Sequence, residues 1–437
     1  MSSGIQPTDS HADPQRDAHA AIDAVWRIES PRLIAGLARI VRDVGVAEEL
    51  AQDALVAALE QWPTIGVPRN PGAWLMTTAK HRAIDQLRRR ALHQRKAYAL
   101  TQEIEAQLEQ SMADPDVMLD DPIGDDLLSL VFTACHPVLS TEARVALTLR
   151  LLGGLTTTEI ARAYLVPEAT VAQRVVRAKR TLSEAKVPFE VPRGDELSTR
   201  LASVLEVVYL IFNEGYAATS GDDWMRPTLC EEAMRLGRVL VGLAPAEPEV
   251  LGLLALMEIQ ASRTAARTGP DGEPILLGEQ NRGRWDQLLI RRGLSALDRA
   301  EHLGGTEGPY TLQAAIAACH ARARSADETD WPRIAALYDT LYQRLPSPVV
   351  ALNRAVAHAM AFGPGTGLAM VDALRDEPRL RNYHLLPSVR GDLLGKLGRH
   401  AEAREEFERA ASLTRNSRER DLLMQRASVS AGIEGGA

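Results

Sequence analysis

Residues 154–186 decide the architecture of one part of this chain, and they read GLTTTEIARAYLVPEATVAQRVVRAKRTLSEAK. The pattern predicts a short helix from Glu159 to Leu165, which is interrupted at Val166 and Pro167. A proline suits the first turn of a second helix, because the missing N–H has no intrahelical partner there. Apolar residues then recur at helical spacing and predict a packing seam: Val171, Val175, Ala178 and Leu182.

The opposite face of this second helix is polar and basic. It carries Gln173, Arg177 and Arg180, with Arg174 beside them. Two helices joined by a tight break form the helix-turn-helix arrangement. Arg and Gln suit a reading helix, because they make paired hydrogen bonds to guanine and adenine edges in the major groove. The segment therefore indicates DNA binding, although an ordinary pair of amphipathic helices has the same pattern.

A second basic helix is predicted near the N-terminus, within residues 72–96. This segment has seven Lys or Arg residues and one acidic residue, Asp85. Trp74, near the start of the helix, suits either the hydrophobic core or stacking against an unpaired base.

The helix before it, residues 47–62, is acidic rather than basic on its polar face. Its polar face combines acidic residues with one valine, which suits a basic, partly apolar partner. A solvated helix face would account for the same pattern.

Charge divides the chain into modules. Residues 101–126 contain nine carboxylates and no Lys or Arg, and Pro115 and Pro122 interrupt them, so we interpret this segment as a linker. The formal net charge of −8 excludes a globally basic nucleic-acid binder but allows local basic surfaces. Helix formers are abundant and alternating β-type runs are scarce, so the fold class is predicted to be all-α.

Several classes of protein are disfavoured by what the sequence lacks. No nucleophile motif, glycine-rich phosphate loop or metal-ligand spacing is visible, so an enzyme is not expected and no cofactor is predicted. The three cysteines lie about 90 residues apart, which favours buried thiols. No apolar stretch approaches the length of a membrane span, and the first residues lack a signal-peptide pattern. We expect a cytoplasmic protein without a membrane partner.

The C-terminal half contains a repeat. Small and large residues recur at the same offsets from positions 334, 369 and 403, a period of 35 and 34 residues. This is the length of a tetratricopeptide unit, in which two helices stack on their neighbours. Residues 264–283 are interpreted as an inserted loop. Asn213, Glu214 and Gly215 are interpreted as a helix C-terminus, with Gly215 in the left-handed conformation.

Taken together, three segments resemble the two domains of an extracytoplasmic-function sigma factor, a member of the sigma-70 family of RNA polymerase subunits. They are AEELAQDALVAALEQW (47–62), NPGAWLMTTAKHRAIDQLRRR (70–90) and LSTEARVALTLRLLGGLTTTEIARAYLVPEATVAQRVVRAKR (139–180). The stretches VVYLIFNEGYAA, GPYTLQAAIAACHA and SPVVALNRAVA are similar to the subgroup with a C-terminal tetratricopeptide-like extension.

The resemblance implies a domain order. It gives a disordered tail over 1–19, sigma domain 2 as a helical bundle over 20–97 and an acidic linker over 98–126. A helix-turn-helix sigma domain 4 follows over 127–187, and a C-terminal α-solenoid of tetratricopeptide-like helix pairs covers 195–430.

The resemblance also implies roles for individual residues. Those expected to bind the β′ clamp helices of core RNA polymerase are Glu49, Gln52, Asp53 and Val56. Those expected to capture the promoter −10 element are Trp74, Lys80, His81, Arg82, Asp85, Arg88 and Arg89. Those expected to read the −35 element are Thr170, Gln173, Arg174, Arg177, Lys179 and Arg180. The expected partners are promoter DNA and core polymerase, which includes the β flap. The repeats could hold a peptide or protein ligand.

The function implied is that of an alternative sigma factor, which binds core polymerase and directs promoter-specific initiation. Its C-terminal domain is expected to regulate it in cis, docking on the sigma domains or on polymerase. Two alternatives stay open: a tetratricopeptide adaptor that binds proteins, and a DNA-binding regulator that does not engage polymerase.

Overall fold

The computed structural model describes residues 14–93, 122–164, 166–218, 220–221, 224–270 and 272–434. The described residues form eighteen α-helices, and one short parallel pairing joins β1 (Ser220–Gly221) to β2 (Arg415–Asn416). The predicted all-α class is confirmed. Contacts divide the chain into two compact units, and the division falls inside one helix, after Val207.

The first unit begins with three helices that share a core: α1 (Pro14–Val41), α2 (Val44–Ile65) and α3 (Pro71–His93). Local capping starts α2 and α3, since Asp43 accepts from Val46 N–H (3.0 Å) and Asn70 accepts from Ala73 N–H (3.1 Å). Trp62 is 1% exposed and is among the largest side chains in this core.

Four further helices complete the first unit: α4 (Pro122–Ala134), α5 (Thr141–Leu151), α6 (Thr157–Tyr164) and α7 (Glu168–Glu184). A capping box starts α6, because Thr156 and Glu159 each accept a backbone N–H from the other. Helix α7 follows Pro167 and buries the predicted seam of Val171, Val175, Ala178 and Leu182. These are the two helices of the expected helix-turn-helix.

Helix α8 (Asp195–Tyr216) supplies its first half to this unit. Arg200 donates to the carbonyl of Phe132 (2.9 Å), and the Ser203 hydroxyl donates to the carbonyl of Cys135 (2.7 Å). The last carbonyls of α4 and of the turn after it therefore take their partners from α8.

The second unit consists mainly of helices that pack on their neighbours in the chain. Its helices are α9 (Pro227–Leu243), α10 (Pro248–Ala261), α11 (Gln287–His302), α12 (Pro309–Arg322), α13 (Trp331–Arg344), α14 (Pro348–Phe362), α15 (Pro364–Asp372), α16 (Leu385–Lys396), α17 (His400–Leu413) and α18 (Ser417–Glu434). Five of these begin with proline. This succession is consistent with stacked helix pairs, which remain a prediction. Residues 264–284 hold three short 3₁₀ turns, in keeping with an inserted loop.

Three local predictions need correction. Residues 14–19, expected in a disordered tail, lie in α1, and residues 122–126, expected in the linker, begin α4. Pro122 opens that helix rather than interrupting the chain, because its missing N–H costs nothing at the first helical position. The rest of the acidic linker, residues 98–121, lies outside the described residues.

The third correction concerns Gly215, which is helical and does not adopt the left-handed conformation. A Cβ atom on Gly215 would lie 2.7 Å from the backbone nitrogen of Cys230. The glycine is needed because α8 and α9 approach closely, and not because the chain turns there.

Candidate nucleic-acid interface

The outer face of α7 presents the side chains expected to read DNA. Gln173, Arg177 and Arg180 are exposed, whereas Thr170 and Arg174 are half-buried. Arg180 pairs with Glu184 one turn later (2.6 Å). This exposed ion pair contributes little stability, so Arg180 can exchange it for another anion at small cost. Val176 is 64% exposed on the same helix and adds an apolar contact surface.

Lys179 has a different environment from the rest of α7. Its ammonium pairs with Glu48 of α2, whose side chain is only 3% exposed. Arg150 of α5 contacts the same carboxylate, with 2.7 Å between its Nε and Oε1. Gln52 donates a further hydrogen bond to it at 2.8 Å. Glu48 therefore joins three helices, and Lys179 is engaged within the first unit.

Two more polar contacts link the helices around α1 and α2 to those around α6 and α7. Ser183 donates to Asp43 (3.0 Å), and Arg27 pairs with Glu159 (2.9 Å). Both lie at the surface, where such contacts are weak. Buried Glu48 is thus the main polar connection between α2 and α7.

Helix α3 presents the residues expected at the −10 element. Trp74 is half-buried and packs edge-on against Trp62, with 5.3 Å between the ring centroids. Part of its surface stays open to a ligand. His81 and Asp85 are exposed. Burial lowers the pKa of Lys80, and nearby Arg39 lowers it further. The side chains of Arg88 and Arg89 lie outside the described residues.

Helix α2 presents the acidic face expected to bind polymerase. Glu49, Asp53 and Val56 are exposed at successive turns, and Val56 is 49% exposed. Gln52 is half-buried beside them. Asp53 lies 3.7 Å from Arg82 of α3, so the two expected surfaces meet at this contact.

The structure brings the described members of these three sets together on one unit. Among the described residues, no cluster of three His, Cys, Asp or Glu side chains could hold a metal ion. In the same part of the chain, no helix is long and apolar enough to cross a bilayer. All three cysteines are buried, and burial raises the pKa of Cys135 to about 11.

Sequence reasoning missed Glu48 and Arg150. A signal was available for Glu48, because it lies beside Ala47, Leu50 and Ala51 on the apolar side of α2. A carboxylate at such a position requires a cationic partner, since a lone buried charge is costly. The partners could not be named, because they lie about 100 residues away or more.

A helix-turn-helix with an exposed basic and amide-bearing face defines a DNA-binding protein of the all-α class. Two family models match the first unit: Sigma-70 region 2 over residues 26–93, and Sigma-70, region 4 over residues 129–182. A third, a family of unknown function (DUF6596), matches residues 200–301.

Similar proteins extend this result. The chain is 42% identical over 399 residues to "Uncharacterized protein R00370" of Rhizobium meliloti (strain 1021), covering 91% of this chain and 93% of that protein. It is 30% identical over 152 residues to "ECF RNA polymerase sigma factor SigK" of Mycobacterium ulcerans (strain Agy99), covering 33% of this chain and 75% of that protein. It is 25% identical over 185 residues to "Probable ECF RNA polymerase sigma factor SigI" of Mycobacterium tuberculosis (strain ATCC 25618 / H37Rv), covering 42% of this chain and 61% of that protein. The chain belongs to the ECF sigma factors of the sigma-70 family and carries a C-terminal extension beyond the two sigma regions.

Proposed function

We propose that this sigma factor binds core RNA polymerase through α2, captures the −10 element through α3 and reads the −35 element through α7. One observation carries the proposal: a single compact unit exposes an acidic face with a valine beside it on α2, and a basic face with one amide group on α7. Each face suits one of two different partners. Carboxylates beside an exposed apolar side chain suit a basic, partly apolar protein surface, and Arg with Gln suits base edges.

The site residues have separate roles in this proposal. Glu49, Gln52, Asp53 and Val56 dock on the β′ clamp helices. Trp74 stacks with an unpaired base, while Lys80, His81, Arg82, Asp85, Arg88 and Arg89 hold the surrounding strand. Gln173 and Arg177 contact base edges, and Thr170, Arg174, Lys179 and Arg180 position α7 on the DNA backbone and the groove.

The polymerase contact is tested by replacing Asp53 and Val56 together with Arg in the full-length protein. Both side chains are exposed, so the double variant should fold, yet it should fail to co-purify with core polymerase. The matched control places arginines at Glu405 and Val429, two exposed positions of the second unit. Unchanged polymerase binding by D53R/V56R would contradict the proposal and favour a DNA-binding regulator that works without polymerase.

We further propose that the C-terminal helical domain regulates this activity in cis and is required for full transcription. The relative from Rhizobium meliloti supports this, because its similarity extends over 93% of its own length and therefore includes the extension. The two sigma regions end near residue 182, so more than half of the chain lies beyond them.

A further inference from the structure

The second unit contains a cluster of three arginines among aromatic rings, around the connection between α10 and α11. Arg263 lies with its Cζ 5.7 Å from the ring centroid of Tyr216 and 5.9 Å from that of Trp285. Arg267 lies closer to Tyr216, with its Cζ 3.6 Å from the ring centroid. Arg282 contacts Trp285 from another side, at 4.9 Å.

Two of these guanidinium groups are fixed by backbone carbonyls. Arg267 donates to the carbonyl of Tyr216. Arg282 donates to the carbonyls of His320 and Ala323, the latter at 2.8 Å. Such bonds hold an arginine in place, but they do not neutralise its charge.

Arg263 has no such partner among the described residues. Its Nε is buried and makes no hydrogen bond. Among the described residues, no carboxylate forms an ion pair with any of the three arginines; the nearby carboxylate of Glu258 pairs with Arg238 and Arg292 instead. The residue as a whole is half-buried, so part of it reaches the surface. A guanidinium that is partly removed from water without a counterion is costly, which makes the site ready for an anion.

The neighbouring groups report the same positive field. Burial, together with the positive charges of Arg263 and Arg282, lowers the pKa of His320 to about 4. Burial also lowers the pKa of Arg267, again with a contribution from Arg263. Glu328 favours the charged form of Arg282 and so partly offsets the effect of burial on its pKa. Tyr338 also lies within the field of Arg263, which opposes the rise in the tyrosine's pKa that burial causes.

We propose that this cluster is a binding site for a carboxylate, centred on Arg263 between Tyr216 and Trp285. Carboxylate is favoured over phosphate because, of the three arginines, only Arg263 has a guanidinium group that bonds to no other described residue, and two parallel N–H groups match the two oxygens of one planar carboxylate. Tyr216, which is half-buried, suits an apolar group next to that carboxylate. The source is either a small organic acid or an acidic residue of a peptide.

The experiment measures binding to the full-length protein without polymerase or DNA, so its result is independent of the proposed sigma activity. The probes are succinate, the capped tripeptide Ala-Glu-Ala, inorganic phosphate, and succinamide as the uncharged control. Calorimetry gives the affinity, and an NMR titration of the His320 ring gives its pKa with and without the probe. A bound carboxylate offsets the field of Arg263, so we expect it to raise the pKa of His320.

The variants are R263Q, R263K and the control R291Q, at an exposed arginine of α11. R263Q should weaken carboxylate binding at least about tenfold, as expected for loss of a charge-assisted pair, and R291Q should not. R263K keeps the charge but lacks the fork, so it should also bind more weakly. If R263Q does not fold, the carboxylate affinity of R263K is the measurement that tests the site.

Binding of succinate alone supports the site with a small acid as its source, and binding of the tripeptide alone supports it with a peptide as its source. Binding of phosphate alone, binding of no probe, or equal carboxylate affinity in wild type, R263Q and R263K would overturn the proposal.

Discussion

At the scale of single residues, Arg177 is the clearest test of the DNA-binding face. It is exposed on α7 beside Gln173, whereas Lys179 is engaged by Glu48 and Arg180 by Glu184. Arg177 therefore has a guanidinium group that no described side chain competes for. A residue of this kind contacts either a base edge or a phosphate, and the two contacts have different signatures.

We expect Arg177→Ala to weaken binding to −35 DNA by about 1–3 kcal/mol and to relax the preference at one base pair. Fluorescence anisotropy with a set of single-base variants and several salt concentrations measures both effects. Arg291→Ala, at an exposed arginine of the second unit, is the control. A uniform loss across all sequences, with a salt slope reduced by about one, would show a phosphate contact instead. A variant indistinguishable from wild type would remove Arg177 from the interface.

At the scale of helices, the contact between α2 and α7 limits which side chains of α7 are available to a partner. Glu48 of α2 holds Lys179 of α7 and Arg150 of α5, and Glu48 itself is nearly inaccessible. We expect a DNA contact of Lys179 to compete with this pairing for the same ammonium group. The packing of α2 on α7 and the use of Lys179 in DNA binding are therefore competing states.

Glu48→Gln should destabilise the first unit by about 1–3 kcal/mol, because two cations then remain close together without a counterion. Both cations keep 21% exposure, which limits the loss. Urea unfolding followed by circular dichroism measures the effect, with exposed Glu49→Gln as the control. Adding Lys179→Met to Glu48→Gln should restore part of the stability, since it removes the repulsion. Equal stability of E48Q and wild type would show that the ion cluster contributes nothing.

At the scale of the whole molecule, opposite charges are kept apart along the chain. The total is −8, yet residues 72–96 carry seven Lys or Arg side chains and residues 101–126 carry none. Overall negative charge disfavours non-specific association with DNA, whereas local basic helices allow a specific one. This distribution suits a subunit that engages DNA mainly when a partner presents it.

The required role of the C-terminal domain is tested by run-off transcription with a fragment ending after Val207. This end point keeps the first half of α8, whose Arg200 and Ser203 are partners of carbonyls in the first unit. We expect the fragment to fold and to bind core polymerase but to transcribe less than the full-length protein at every promoter. Solubility and helicity are checked first, because truncation can expose apolar surface.

A second fragment, ending at Gly194, separates damage to the first unit from loss of regulation. It lacks Arg200 and Ser203, so it should melt at a lower temperature than the fragment ending at Val207. Transcription by the longer fragment equal to or above that of the full-length protein would contradict the required role.

Much of the architecture was predictable from local patterns. The prediction of the buried seam of α7 is confirmed at all four positions, because the regular period of a helix fixes which residues share a face. The exposed positions Glu49, Asp53 and Val56 followed from the same rule. The start of α4 at Pro122 and the helical state of Gly215 were missed. A proline or a glycine has the same local signature in a break, at a helix start or at a close packing contact.

The sequence by itself determined the all-α class, the order of the modules and the exposed face of the reading helix. These depend on periodicity and on charge within about twenty residues, which local chemistry sets. Only the tertiary structure showed that Glu48 meets Arg150 and Lys179, or that Arg263 lies among aromatic rings and pairs with no carboxylate of the described residues. Those contacts join residues far apart in the chain, so they depend on how helices pack and on which charges packing removes from water.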